Sequence, residues 1–260
     1  MSAVDIPITG GAAPFNAVRT AGKLAGFANR FVDRIAGAPE TPRYLDVGCG
    51  NGFITGFVAD RFPEVHGIDM EPERLEEFRT RVAEDGKYHV EQMSASDMSF
   101  PDAHFHFITS FEVLEHVPDL DGSADDIVRV LAPGGVLVIS VPQVWFPIEN
   151  HGMRWRGRDI ERKIPLLPYL RPLHRKYSLA RVFSAGEMDR LFVSRGLQVL
   201  AKGYASPQFE RAATRAGSLE GKLAFLRPLL DKSEQVPGLR ALTGVSLLKA
   251  YQKPIAGDAA

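Results

Sequence analysis

The stretch that most constrains this chain is Tyr44-Leu45-Asp46-Val47-Gly48-Cys49-Gly50-Asn51-Gly52. Its first residues read as a buried β-strand ending near an acid, and the three glycines that follow at alternate positions let backbone pass very close to a ligand. The next run, Phe53-Ile54-Thr55-Gly56-Phe57-Val58-Ala59, has apolar residues at helical spacing. Strand, glycine turn and helix together predict the first half of a nucleotide-cradling α/β unit.

A glycine turn by itself does not distinguish between cofactors. The dinucleotide fingerprint needs a third glycine where Phe53 stands, and no Gly-Lys-Ser/Thr follows, which excludes a phosphate-binding P-loop. What remains is Asp-x-Gly-x-Gly-x-Gly over Asp46, Gly48, Gly50 and Gly52. That pattern resembles the first motif of the class I S-adenosylmethionine-dependent methyltransferases.

The rest of the chain extends the resemblance. Val65-His66-Gly67-Ile68-Asp69 reads as a second strand whose terminal acid can accept from both ribose hydroxyls beside the glycine turn. Tyr88–Gln92 and Phe105–Phe111 read as third and fourth strands. Leu131-Ala132-Pro133-Gly134-Gly135, followed by an aliphatic run to Pro142, reads as a turn and a fifth strand buried on both faces. With Glu112-Val113-Leu114-Glu115-His116-Val117 after the fourth strand, this is similar to the branch containing the quinone-biosynthesis methyltransferases, although His106 stands where that branch has Asp.

The resemblance implies a Rossmann-like, doubly wound α/β fold: a seven-stranded, mostly parallel sheet with an antiparallel edge strand and a lid inserted after the fifth strand. The expected parts are an N-terminal covering helix (1–39), a cofactor-binding core (40–142), the insertion (143–182), the rest of the core with a helical excursion over 207–241 (183–252), and a tail (253–260). S-adenosyl-L-methionine is the implied cofactor. Its implied contacts are Asp46, Gly48, Cys49, Gly50, Asp69, Met70, Ser96, Asp97, Met98 and Phe111, with Asp97 accepting from the adenine amino group and the Met98 backbone N–H facing the ring. Asn16 and Arg19 of the covering helix are further candidates.

Residues 143–182 mix aromatic side chains with an excess of Lys and Arg. They lie at the carboxyl edge of the sheet, where open α/β folds bind ligands. Trp145, Arg154, Trp155, Tyr169 and Tyr177 are the candidate acceptor contacts, and the basic excess suggests a small anionic or amphipathic acceptor. An anionic-lipid surface and a second copy of the chain are alternative partners for this segment. Methyl transfer is a direct displacement that mainly needs alignment. If the acceptor must lose a proton, His151 or His116 is the expected base, with His174 behind them.

Composition narrows the rest. The single cysteine, Cys49, excludes an intramolecular disulfide and a multi-cysteine metal site, so a reducing cytoplasm is expected and no metal is assigned. No run of apolar residues is long enough to span a bilayer, and no export leader is expected. A net charge of −1 and the absence of Asn/Asp-Pro-Pro-aromatic after the fourth strand argue against DNA as substrate. The expected activity is methyl transfer to an O, N or C atom of a small molecule; the alternatives are a cofactor-binding sensor or assembly subunit without turnover, and an RNA methyltransferase.

Overall fold

In the computed structural model, the described residues are 15–37, 39–82, 85–160, 163–205 and 244–255. The expected excursion over 207–241 and the side chains of Asn16 and Arg19 lie outside them.

The strands are β1 (Arg43–Val47), β2 (Glu64–Asp69), β3 (Tyr88–Gln92), β4 (Phe105–Phe111), β5 (Leu131–Pro142), the short β6 (Ile148–Glu149), β7 (Met153–Trp155), β8 (Arg158–Ile160) and β9 (Ile164–Pro165), then β10 (Gln198–Ala205) and β11 (Ser246–Gln252). Seven of them form one sheet in the order β10-β11-β5-β4-β1-β2-β3. The pairs from β3 through β5 are parallel, and β11 runs antiparallel between β5 and the edge strand β10. The expected doubly wound, mostly parallel sheet is therefore present.

The helices are α1 (Phe15–Asn29), α2 (Gly56–Ala59), α3 (Pro72–Arg81), α4 (Leu120–Val130), α5 (Arg171–Tyr177) and α6 (Ala185–Val193). On one face of the sheet, α1 and α2 contribute Leu24, Ala25, Val58 and Ala59 to a core with Tyr44, Val65 and Phe107. On the other, α4 and α6 contribute Ala124, Ile127, Met188 and Phe192 to a core with Leu45, Val47 and Ile108. The alternation of Tyr44, Leu45 and Val47 between the two cores is the period-two signature of a strand buried on both sides.

Local chemistry fixes the helix starts. Asp119 accepts from the Gly122 N–H ahead of α4, and Ser184 with Glu187 forms the expected reciprocal cap of α6.

Two elements differ from expectation. The helix after the glycine turn covers only Gly56–Ala59, not Phe53–Ala59, because residues 53–55 stay in turns while Thr55 donates its hydroxyl to Asp46. Gly134-Gly135 sits inside β5 rather than before it. The pairing with β4 jumps from Phe105–Leu131 to Phe107–Val136, and the displaced backbone packs on Ala36.

Candidate active site

The site is built at the carboxyl ends of β1, β2 and β4, where the strand order reverses. Tyr44 and Asp46, two residues apart on β1, reach the same buried threonine. The Tyr44 hydroxyl lies 2.6 Å from Thr109 Oγ1, which donates to Asp46 Oδ1 at 2.7 Å, while Thr55 Oγ1 donates to Asp46 Oδ2 at 2.6 Å. Burial pushes the Asp46 carboxyl up to about 6, against the two threonine hydrogen bonds. Asp46, expected at the cofactor, instead anchors the loop from beneath and is not part of the cavity wall.

Above it the glycines are needed for space as well as for rotation. Gly48 has φ +74°, and a Cβ there would lie 2.2 Å from Val113 Cγ2; at Gly52, φ +73°, it would lie 2.3 Å from the Phe78 ring. The Gly48 and Cys49 N–H groups both donate to the Ile68 carbonyl, tying the loop to the end of β2. Asp69 completes the frame: its Oδ2 accepts from Gly50 N–H at 2.8 Å and its Oδ1 from Glu71 N–H at 2.9 Å. Each oxygen keeps further lone-pair capacity for a ligand.

These elements enclose a cavity of about 610 Å³. Of the expected cofactor residues, Gly48, Cys49, Gly50, Asp69, Met70, Ser96 and Phe111 line it. Burial, with the nearby Asp46 and Asp69 charges, pushes the Cys49 thiol far up, so it remains a protonated wall residue and not a nucleophile. Sequence reasoning missed Phe53, Arg74, Met93, Ser94, Glu112 and Val113, which also line this cavity.

Asp97 and Met98 fall elsewhere. Asp97 is exposed, and Met98 is buried in the core with its N–H donated to Asp126 Oδ2 at 2.7 Å. Met98 is therefore not the backbone donor to an adenine ring. The wall from this loop is residues 93–96, because Arg129 holds the following backbone down by donating to the Met98 and Phe100 carbonyls.

A second cavity, of about 790 Å³, adjoins the first. His116, Val117 and Pro118 line both. Its far wall is α5 and the strand-like segment after it, including Arg171, His174, Arg175 and Arg181, with Arg190 and Arg195 from around α6. Arg181 is engaged by the Val117 and Pro118 carbonyls, Arg171 by Glu187 and the Val182 carbonyl, and Arg195 by Asp121 and Asp125. Arg175, largely exposed, has a loose 3.8 Å pairing with Glu187.

The histidines converge on this shared wall. The rings of His116 and His151 are edge to face with centroids 5.2 Å apart. Burial and the neighbouring His151 and Arg181 lower the His116 pKa, so its imidazole is neutral near pH 7. Glu149, the buried second residue of β6, organises the group. Its Oε1 accepts from the His151 N–H at 2.7 Å and lies 3.3 Å from His151 Nδ1, and its Oε2 pairs with His174 Nε2. Burial opposes ionisation of Glu149, but these hydrogen bonds outweigh it and hold the carboxyl well below the usual range. Beside them, burial and then the Glu112 charge push the Glu115 carboxyl up to about 9. Glu112 takes φ +56° as the chain leaves β4, and its Oε1 accepts from Ser140.

The aromatic residues expected to touch an acceptor do not line either cavity. Trp145, Trp155 and Tyr169 are 55%, 44% and 44% exposed. Tyr169 donates to the Trp145 carbonyl, and Trp155 packs on Tyr177 with ring centroids 5.1 Å apart. Arg154 is paired with Asp159 across the β7–β8 hairpin, at 2.7 and 3.0 Å. The insertion turns its α5 side and residues 178–183 to the cavity and leaves its aromatics outside.

A family profile described as a methyltransferase domain matches residues 20–202. The chain is 34% identical over 112 residues to a ubiquinone biosynthesis O-methyltransferase of Alkalilimnicola ehrlichii, covering 42% of this chain and 45% of that protein. It is 30% identical over 141 residues to 2-methyl-6-phytyl-1,4-hydroquinone methyltransferase of Synechocystis sp., covering 53% of this chain and 39% of that protein. The matched stretch thus spans less than half the length of either curated relative. In structure it is similar to geranyl diphosphate C-methyltransferase from Streptomyces coelicolor, with TM-score 0.60 and 17% identity over 97% of this chain and 88% of that one.

Proposed function

The chain belongs to the class I S-adenosylmethionine-dependent methyltransferases, and from that premise we propose that it transfers the methyl group to a small amphipathic acceptor through the wall shared by its two cavities. The observation that carries this reading is that His116, Val117 and Pro118 line both the cavity of the glycine loop and the basic cavity beyond it. A donor and an acceptor seated in the two would face each other there, which is what an in-line displacement requires.

The cofactor's residues follow from the lining. Asp69 would take the ribose hydroxyls, Gly48 to Gly50 would pass along the amino-acid tail, and Met70 with residues 93–96 would flank the adenine. Asp46 acts through the loop it anchors. Either His116 or His151 would accept a proton from a hydroxyl acceptor, because both stand at the shared wall or against it.

The acceptor's chemistry is inferred from its walls and from the relatives. Arg171, Arg175 and Arg190 favour an anionic or strongly polar head, and two relatives are named for ring compounds of quinone type. Outside, Trp145, Leu166, Tyr169, Leu170 and Leu173 form an exposed apolar face on an insertion rich in Arg and Lys, which suits collection of the acceptor from an anionic lipid surface.

The test is methyl transfer from methyl-labelled S-adenosylmethionine to alkylated phenols and hydroquinones, free or dispersed in anionic vesicles. Label appearing in a phenolic acceptor supports the reading. Tight binding of S-adenosylhomocysteine without transfer to any acceptor would point instead to a cofactor-binding subunit.

A further inference from the structure

We propose that Glu64, His66 and His89 bind one divalent cation of the zinc type at the end of the sheet away from the glycine loop, where it would pin the edge strand β3 to β2. Such a site stands apart from the methyl-transfer reading: it would act on stability, not at the acceptor.

Strand geometry brings the three side chains together. Glu64 and His66 are two residues apart on β2 and so share one face, and His66 is paired in register with His89 on the parallel neighbour β3. One ligand atom from each of the three lies within 4.8 Å of the other two. A cation drawn to their centre would need only small side-chain rotations to reach bonding distances of about 2.0–2.2 Å. Two imidazoles and one carboxylate suit zinc and similar metals, and the exposed side at His89 leaves room for water to complete the coordination.

His66 is the fixed member. Its side chain is 12% exposed, with the Phe100 and Phe105 rings edge-on to it at 5.5 and 5.2 Å. Its Nε2 lies 2.9 Å from Glu64 Oε1, while Nδ1 is buried and has no hydrogen-bond partner among the described residues. One hydrogen bond thus serves two nitrogens of a largely buried ring, although buried polar atoms are ordinarily all partnered. A metal bond at Nε2 would replace that single hydrogen bond with a stronger interaction. His89 is exposed, with its ring 4.8 Å from that of His66, so it can turn a nitrogen to the same point.

The charges are compatible with a cation. The hydrogen bond from His66 outweighs partial burial and, with the nearby Arg43, holds the Glu64 carboxyl below its usual range, so it is ionised. Arg43 is the opposing charge, but its Nε is turned to the His104 carbonyl at 2.8 Å.

Position sets the consequence. His66 and His89 stand three residues, roughly 10 Å, before Asp69 and Gln92 on the same two strands. β3 is the edge of the sheet, and Met93 to Ser96, which follow it, wall the glycine-loop cavity. A cation bridging β2 and β3 would hold that edge in register without touching either cavity.

The experiment is calorimetric titration of the chelator-treated full chain with Zn²⁺, with thermal unfolding and S-adenosylhomocysteine affinity measured in parallel. In the wild type, free Zn²⁺ at about 100 times its dissociation constant should raise the unfolding temperature by roughly 5–10 °C. His89→Asn should lose one equivalent of Zn²⁺ and most of that rise, and Glu64→Gln should bind the same equivalent at least about tenfold more weakly. Neither residue is in the buried core, so both variants should fold and keep their S-adenosylhomocysteine affinity. No Zn²⁺ bound by the wild type, or the same stoichiometry, affinity and temperature rise in both variants, overturns the proposal. Loss of S-adenosylhomocysteine binding in every protein, with Zn²⁺ binding intact, would overturn the cofactor assignment alone.

Discussion

Asp69 Oδ2 accepts the backbone N–H of Gly50 at 2.8 Å, so the acid at the end of the second strand and the glycine loop after the first are one unit. The same carboxylate lines the smaller cavity. Asp69→Ala removes a charged acceptor from both roles. Hydrogen bonds to charged groups contribute about 1.5–3 kcal/mol each, so S-adenosylhomocysteine affinity should fall roughly 10- to 100-fold or more. Calorimetry showing unchanged affinity would refute the ribose assignment.

Asp46 gives a pH signature. Its folded-state pKa of about 6 lies above the ordinary aspartate value, so folding favours its protonated form. Its contribution to stability is fully present below the unfolded pKa of about 3.9 and is lost as pH rises through about 6. Asp46→Asn removes this titration. Wild-type stability relative to the variant should therefore fall by on the order of 2–3 kcal/mol between pH 4 and 7, measured by urea unfolding at both pH values. A pH-independent difference would mean that the carboxyl does not titrate in this window.

Gly48→Ala should be costly for two separable reasons. A left-handed conformation costs an ordinary residue about 1–2 kcal/mol, and the new Cβ would meet Val113 at 2.2 Å. Thermal unfolding should show a loss larger than the conformational cost alone, accompanied by loss of cofactor binding. Adding Val113→Ala should recover the steric part only. Full recovery would show that the loop does not need its φ of +74°.

The outer face of the insertion makes a prediction about location of the substrate. Trp145→Ala combined with Leu170→Ser should reduce co-sedimentation with phosphatidylserine-containing vesicles several-fold, leaving unfolding temperature and S-adenosylhomocysteine affinity near wild type, since both residues are more than half exposed. Binding to anionic vesicles should also weaken with salt. Equal co-sedimentation of variant and wild type would remove the lipid surface as a partner of this face.

Much of the fold was legible because it depends on local patterns. β3 and β4 have the expected limits, and the cap of α6 is present at Ser184 and Glu187. The elements that departed from expectation did so through distant partners. Residues 53–55 stay in turns where Thr55 binds Asp46, and Gly134 is displaced against Ala36. Among the candidate site residues, Asp69 was identifiable from its place at the end of the second strand, whereas Met98 was misplaced because its N–H is taken by Asp126, 28 residues away. Glu112 and Glu115 carried a faint signal in the spacing Glu-x-x-Glu-His, but nothing local reveals that one would be buried without a hydrogen-bond partner.

The sequence by itself determined the alternation of strands and helices, the glycine loop and the acid that closes it, since these follow from periodicity and backbone freedom within short segments. Only the tertiary structure decided which side of the 143–182 insertion faces the site, that Asp46 turns inward, and that His116 and His151 meet from segments 35 residues apart in sequence. Those outcomes depend on which surfaces are removed from water when the elements pack, and burial, unlike periodicity, belongs to no single stretch of chain.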